Sequence, residues 1–155
     1  LEAWYEKYNV SVGSYIDLQR GEEPGTIVVG VRPVRSRRRE WLRTVTSDEE
    51  NIHFEVTRIP VACEFDELSA VAVLDPSGID KLAANLHRTS LEVLLEQVFG
   101  GLAGLSLQRA VHAMTLHSVI NLLRRVPPAP MLAVLATSSE YISLGDNYWA
   151  YRGDS

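Results

Sequence analysis

The spacing of apolar residues changes character midway along the chain. Between residues 12 and 74 the apolar positions fall in short runs: 12–18 alternates apolar with small or polar residues, 26–31 is a β-branched run, and 40–46 and 52–59 follow as two more strand-like runs. Alternation with period two puts successive side chains on opposite faces of an extended backbone, so these runs predict strands. Gly21-Glu-Glu-Pro-Gly25 and Ser47-Asp-Glu-Glu-Asn51 read as turns between them. An amphipathic opening is expected at 1–8, a short edge strand at 63–65 and a compact, buried strand at 68–74. Five or six short strands at this spacing predict a small antiparallel β-barrel or a curled sheet.

From Asp75 onward the pattern lengthens to that of a helix. Pro76 and Ser77 are helix-start residues for a helix over 79–87, and Ser90 is placed to cap one over 91–99, where Leu91, Leu94, Leu95 and Val98 share a face. Gly100-Gly101 is expected to end it. Ser106 predicts another helix carrying Leu107, Ala110, Val111 and Met114, and Thr115 begins a further one through Leu123. Pro127, Pro128 and Pro130 break that run and leave a final helix over 131–137. In the closing segment, 140–152, Tyr141, Ile142 and Leu144 alternate with smaller or polar residues. Gly145-Asp146-Asn147 supplies a tight turn, and Tyr148, Trp149 and Tyr151 give the return strand aromatic surface to bury. The chain therefore reads as α+β, with a β-rich subdomain over 1–75 followed by a helical, winged-helix-like subdomain over 76–155.

Ile142, Ser143, Leu144, Gly145 and Trp149, following a set of short helices, resemble the terminal hairpin of the HARE-HTH winged-helix family, which includes the N-terminal domain of the RNA polymerase delta subunit. The resemblance is confined to the C-terminal half, and its specific part is 141–151. It implies a module of transcription, DNA-repair or restriction-type proteins that contacts either nucleic acid or another protein.

Composition narrows the field. With 155 residues, 46% of them hydrophobic, the chain has room for one medium domain or two small ones. The single cysteine, Cys63, excludes an intrachain disulfide and a CxxC zinc site, and points to a reducing, cytoplasmic compartment. No apolar run reaches the roughly 18 residues of a membrane-spanning helix, so no membrane partner is expected. A start at Leu1 rather than methionine is what a C-terminal part of a larger protein would show. Cys63 has acidic neighbours, which disfavour a thiolate, and His112 and His117 are not at metal-pair spacing. With no phosphate loop, dinucleotide fingerprint or nucleophile elbow in view, a non-enzymatic protein without cofactor or metal is expected.

Charge gives the sharpest functional lead. The net charge is −5, yet between Arg32 and Arg43 six arginines stand against the single Glu40. Clustered guanidinium groups neutralise phosphates and release counterions, and an adjacent aromatic ring can stack on an unpaired base. Arg32, Arg35, Arg37, Arg38, Arg39, Trp41 and Arg43 are thus the expected nucleic-acid-binding residues, with DNA the expected ligand. Two other readings compete: a solvated loop paired internally with Glu22, Glu23, Asp48, Glu49 and Glu50, or a surface that docks on an acidic protein. The helix and hairpin of the C-terminal half offer little to DNA, because no Lys or Arg lies between Arg125 and Arg152. That half suits a packing scaffold or a protein-docking surface built on Met131, Leu132 and Tyr148, meeting a second copy of the chain or a protein of the transcription, repair or restriction machinery.

Overall fold

The computed structural model describes residues 2–33, 36, 38–48 and 50–152, which fall into two compact units. The first is Leu1–Trp41 with Thr57–Phe65; the second is Leu42–Val56 with Asp66–Ser155. The architecture is α+β: sheets dominate the N-terminal part, and helices followed by a small sheet make up the rest.

The first unit contains α1 (Glu2–Lys7), β1 (Ser14–Arg20), β2 (Ile27–Pro33), the start of β3 (Arg38–Ser47) and the end of β4 (Ile52–Val61). β1 and β2 are antiparallel, with Ser14 opposite Pro33 and Arg20 opposite Ile27. In this register Ile16, Leu18, Val29 and Val31 share one face, and Tyr15, Asp17 and Arg32 share the other. The expected barrel or curled sheet does not form. Among the described residues β1 and β2 pair only with each other, while β3 has both its edges occupied, by β4 and by β5 (Val71–Val73). Ile16, Leu18, Ile27 and Val29 are exposed, so they enclose no shared interior around which a barrel could close. The residues expected to form an edge strand at 63–65 are a loop. Ahead of that loop, the Ala62 N–H donates to the Val12 carbonyl at 2.9 Å. Gly13 has φ +81°, and a Cβ there would lie 2.1 Å from Cys63 Sγ, so this position demands glycine on both counts.

In the second unit the remainder of β3 and β4 is joined by a turn in which the Asp48 N–H donates to the Asn51 carbonyl at 3.0 Å. So short a connection between hydrogen-bonded neighbours makes the pair a hairpin. β5 runs parallel to β3, with Val73 opposite Val45. It is shorter than the apolar run 68–74 predicts, because Asp66 Oδ1 accepts from the Leu68 and Ser69 N–H groups and folds 67–69 into a turn.

α2 (Pro76–Asn85) begins as expected, with Asp75 accepting from the Gly78 N–H, and a 3-10 turn, Leu86–Arg88, follows it. α3 (Leu91–Ala103) is capped by Ser90, whose Oγ accepts from Val93 at 3.3 Å. It does not stop at Gly100-Gly101. Two helical glycines cost about 1 kcal/mol each, and full burial of Leu102 and Ala103 in the last turn offsets that. No helix starts at Ser106. Arg109 adopts φ +51°, and Ala110–His112 forms strand β6, whose Val111 is buried opposite Trp149. His112 then caps α4 (Ala113–Leu123), its Nδ1 accepting from the Met114 N–H at 3.1 Å. α5 (Pro128–Thr137) starts before 131, because prolines in a first helical turn lack only N–H groups that have no intrahelical acceptor.

β7 (Tyr141–Gly145) and β8 (Tyr148–Tyr151) form the expected terminal hairpin. Asp146 and Asn147 both have positive φ, +47° and +61°, the conformation that a tight two-residue hairpin turn requires. The sheet order is β6-β8-β7. Beneath it, Phe99 of α3 packs against Tyr141 at 5.2 Å between ring centroids, and Leu94, Leu116, Ile120 and Leu135 complete the centre of the core. Burial, reinforced by Glu140 and Glu96, pushes the Tyr141 hydroxyl well above the usual tyrosine range. Among the described residues no helix is long and apolar enough to cross a membrane.

Candidate nucleic-acid interface

The arginine-rich stretch joins the end of β2 to the start of β3, and all of it except Arg43 belongs to the first unit. Arg35 and Arg37 lie outside the described residues, as does Glu49. Arg38 and Arg39 are exposed at the start of β3. Trp41 follows on the same strand, with 66% of its surface in water. Alternation along β3 places Arg39 and Trp41 on one face.

Arg58, which the charge cluster does not include, belongs with these residues. It lies on β4, its guanidinium carbon 5.9 Å from the centre of the Trp41 ring, and its Nη2 donates to the Arg39 carbonyl at 3.4 Å. A guanidinium over an exposed indole is worth about 0.5–1 kcal/mol, enough to bias both side chains toward this arrangement. Counting outward from the 48–51 turn pairs residue 58 with residue 41, and that count was the available signal.

Arg32 has a different environment. Its Nε donates to Asp17 Oδ2 at 3.3 Å, and its guanidinium lies 5.5 Å from the centre of the Tyr15 ring. Part of its charge is therefore neutralised locally. Arg43, in the second unit, is half-buried and donates to the Glu67 carbonyl, a structural use of the side chain. Of the carboxylates considered as internal partners, Asp48 is engaged in its own turn. Its Oδ1 accepts from the Glu50 and Asn51 N–H groups, and its Oδ2 lies 2.7 Å from His53 Nε2. Those bonds, that from Glu50 foremost, pull its pKa down to about 2.

The charge balance differs between the units. The first carries eight Lys and Arg against seven Asp and Glu; the second carries seven against thirteen. The cations that could meet a polyanion are thus concentrated in the smaller, β-rich unit.

The C-terminal surface was expected to involve Met131, Leu132 and Tyr148. Met131 is 1% exposed and belongs to the core, where it shares a helix face with buried Leu135 four residues on. Leu132 and Tyr148 are exposed, at 37% and 39%, along with Ile142 and Leu144 of the hairpin. Tyr148 also packs edge-on against His112 at 4.9 Å. The water-facing side of α5 presents Ala129, Leu132, Ala133 and Ala136, which carry no charge or hydrogen-bonding group for base edges, and Thr137, whose hydroxyl donates to the Ala133 carbonyl at 2.7 Å. His117 is engaged by the Val126 carbonyl and the Asn121 side chain, and Arg124 by the Thr89 carbonyl. Among the described residues no group of three His, Cys, Asp or Glu is arranged to hold a metal. No protein-family model, curated protein or solved structure matches the chain.

Proposed function

We propose that this chain is a non-enzymatic nucleic-acid-binding module, with DNA as the expected ligand, that holds phosphates through the arginines between β2 and β3. The observation that carries this reading is the concentration of exposed cations at the start of β3 in the first unit, where Arg39 shares a face with exposed Trp41, Arg58 lies over that ring, and Arg38 is exposed beside them in the chain. In this division of labour residues 1–75 supply the phosphate contacts, and residues 76–155 orient the complex or meet a protein of the transcription, repair or restriction machinery. The order α3, β6, α4, α5, β7, β8, with sheet order β6-β8-β7 and a terminal hairpin as the wing, supports a winged-helix-like C-terminal half and its likeness to the HARE-HTH family. A cytoplasmic setting fits a chain whose sequence holds one cysteine.

A second reading is favoured by a specific observation. Leu132, Ile142, Leu144 and Tyr148 are exposed and belong to a stretch of the sequence, 126–151, without Lys or Arg, which suits a protein partner or a second copy of the chain.

Fluorescence anisotropy with labelled DNA over a salt series tests the first reading. The wild type should bind at low salt and weaken steeply as salt rises. The Arg37→Ala, Arg38→Ala, Arg39→Ala variant should lose most of the affinity and flatten the log–log salt slope by about 2 to 3. Absence of binding at low salt overturns the proposal and leaves the C-terminal surface to be tested by sedimentation equilibrium.

A further inference from the structure

We infer that Trp41 and Tyr15 are stacking positions for unpaired bases, so that the basic region of the first unit takes single-stranded nucleic acid in preference to duplex. The inference rests on the nucleic-acid reading above and goes beyond it by naming the strand state of the ligand and the residues that select it.

The two rings share an arrangement. Each stands exposed on a strand, Trp41 on β3 and Tyr15 on β1, and each has the guanidinium of a neighbouring strand over it, Arg58 at 5.9 Å and Arg32 at 5.5 Å. Neither ring is among the buried residues of the core. Large aromatic side chains left in water are the informative exceptions to burial. A ring beside a cation offers a flat apolar surface to a base and a positive charge to the backbone phosphates. Bases in a duplex have their faces covered by their neighbours, so an exposed ring has nothing to stack on there, whereas every unpaired base offers a face whatever its sequence.

The two positions differ in strength. Asp17 accepts a hydrogen bond from Arg32 and reduces the positive charge beside Tyr15, whereas the Arg58 guanidinium that crosses Trp41 bonds to a backbone carbonyl. Trp41, the larger ring and the one nearer Arg38 and Arg39 in the chain, is the principal position; Tyr15 is the subsidiary one.

The test compares a labelled single-stranded DNA, a single-stranded RNA and a duplex DNA of equal length at one low salt concentration. The proteins are the wild type, Trp41→Ala, Trp41→Phe, Tyr15→Ala and the double variant Arg38→Ala, Arg39→Ala, each with its fold verified by circular dichroism. The expected result is tighter binding of single strands than of duplex. Trp41→Ala should then lose about ten- to a hundred-fold in affinity for single strands with duplex binding unchanged. Trp41→Phe should retain most of the affinity, and Tyr15→Ala should lose less than Trp41→Ala. The RNA and DNA arms distinguish which unpaired strand is preferred. If Trp41→Ala leaves single-strand affinity unaltered while the arginine variant lowers it, stacking is overturned and phosphate contact stands. If the wild type binds none of the three, stacking and the phosphate reading fall together.

Discussion

In the second unit, α3, α4 and α5 close over a continuous core that includes Val45 and Ile52 of the hairpin and Tyr141 of the terminal sheet. In the first unit the only buried apolar side chains among the described residues are Val61 and Ala62, and Leu18 of β1 leaves 68% of its surface in water. The same two strands, β3 and β4, run through both. One chain thus contains a unit stabilised mainly by removing apolar surface from water and a unit held by strand ladders and local hydrogen bonds, with its aromatic and basic side chains outside. A two-stranded hairpin is marginal on its own, so β1 and β2 are expected at the low end of local stability. The contrast separates the part of the molecule that stabilises the fold from the part whose surface carries the proposed chemistry.

Truncating one large side chain in each unit would break this comparison most directly. Phe99 is fully buried and touches Tyr141 and Tyr151, so Phe99→Ala should cost about 3–5 kcal/mol in urea unfolding. Leu18→Ala should stay within about 0.5 kcal/mol, because its side chain is already mostly hydrated. Similar costs for the two would mean that the first unit buries surface on a scale its exposed side chains do not suggest.

A finer test lies inside α3, where adjacent glycines have opposite surroundings. A Cβ at Gly101 would stand 2.6 Å from the Phe54 ring, while at Gly100 it would meet nothing within 4 Å. Gly101→Ala should destabilise by about 1–3 kcal/mol through overpacking. Gly100→Ala should stabilise by about 0.5–1 kcal/mol, since alanine loses less backbone freedom in a helix. Thermal unfolding of both variants decides the sign. Equal and favourable shifts would show that the hairpin can yield to α3, and that the core is less closely packed against Phe54 than the comparison requires.

These contrasts also show what could be read from the chain. β1 to β4 are legible because alternation and β-branched runs are local features, but their partners are not. Nothing in the run at 68–74 indicates that Val71–Val73 pairs parallel with β3, and nothing in β1 and β2 indicates that they stay apart. β6 is hidden because three residues cannot establish a period, and its strand character comes from the ladder with β8. Gly100-Gly101 misleads because glycine lowers helix propensity by an amount smaller than the burial of Leu102 and Ala103 returns. At the candidate site the arginine cluster is plain from composition. Arg58 is not, since it lies in a separate run and reaches Trp41 only through the hairpin. Met131 is misassigned to the surface for want of its helical phase; the i, i+4 relation to Leu135 marks it as a core residue.

The smallest expected effect belongs to the turn that closes the β3–β4 hairpin. Asp48 titrates near 2 in the folded protein, below its ordinary value of 3.8, because the carboxylate accepts from the Glu50 N–H foremost and then from His53 and Asn51. A carboxyl group with a depressed folded pKa stabilises the fold above its ordinary value, and that contribution is lost as pH falls from about 4 toward about 2. Asp48→Asn should therefore remove part of the acid sensitivity over that window, with little change in its slope at higher pH. His53→Ala should remove a smaller part, since the backbone donor from Glu50 remains. Amide exchange at pH 4 and pH 2.5 localises the effect. Loss of protection confined to the hairpin residues of the second unit is the expected pattern. Equal loss across β1 and β2 would show that acid acts on the two units alike, and that this turn is not what distinguishes them.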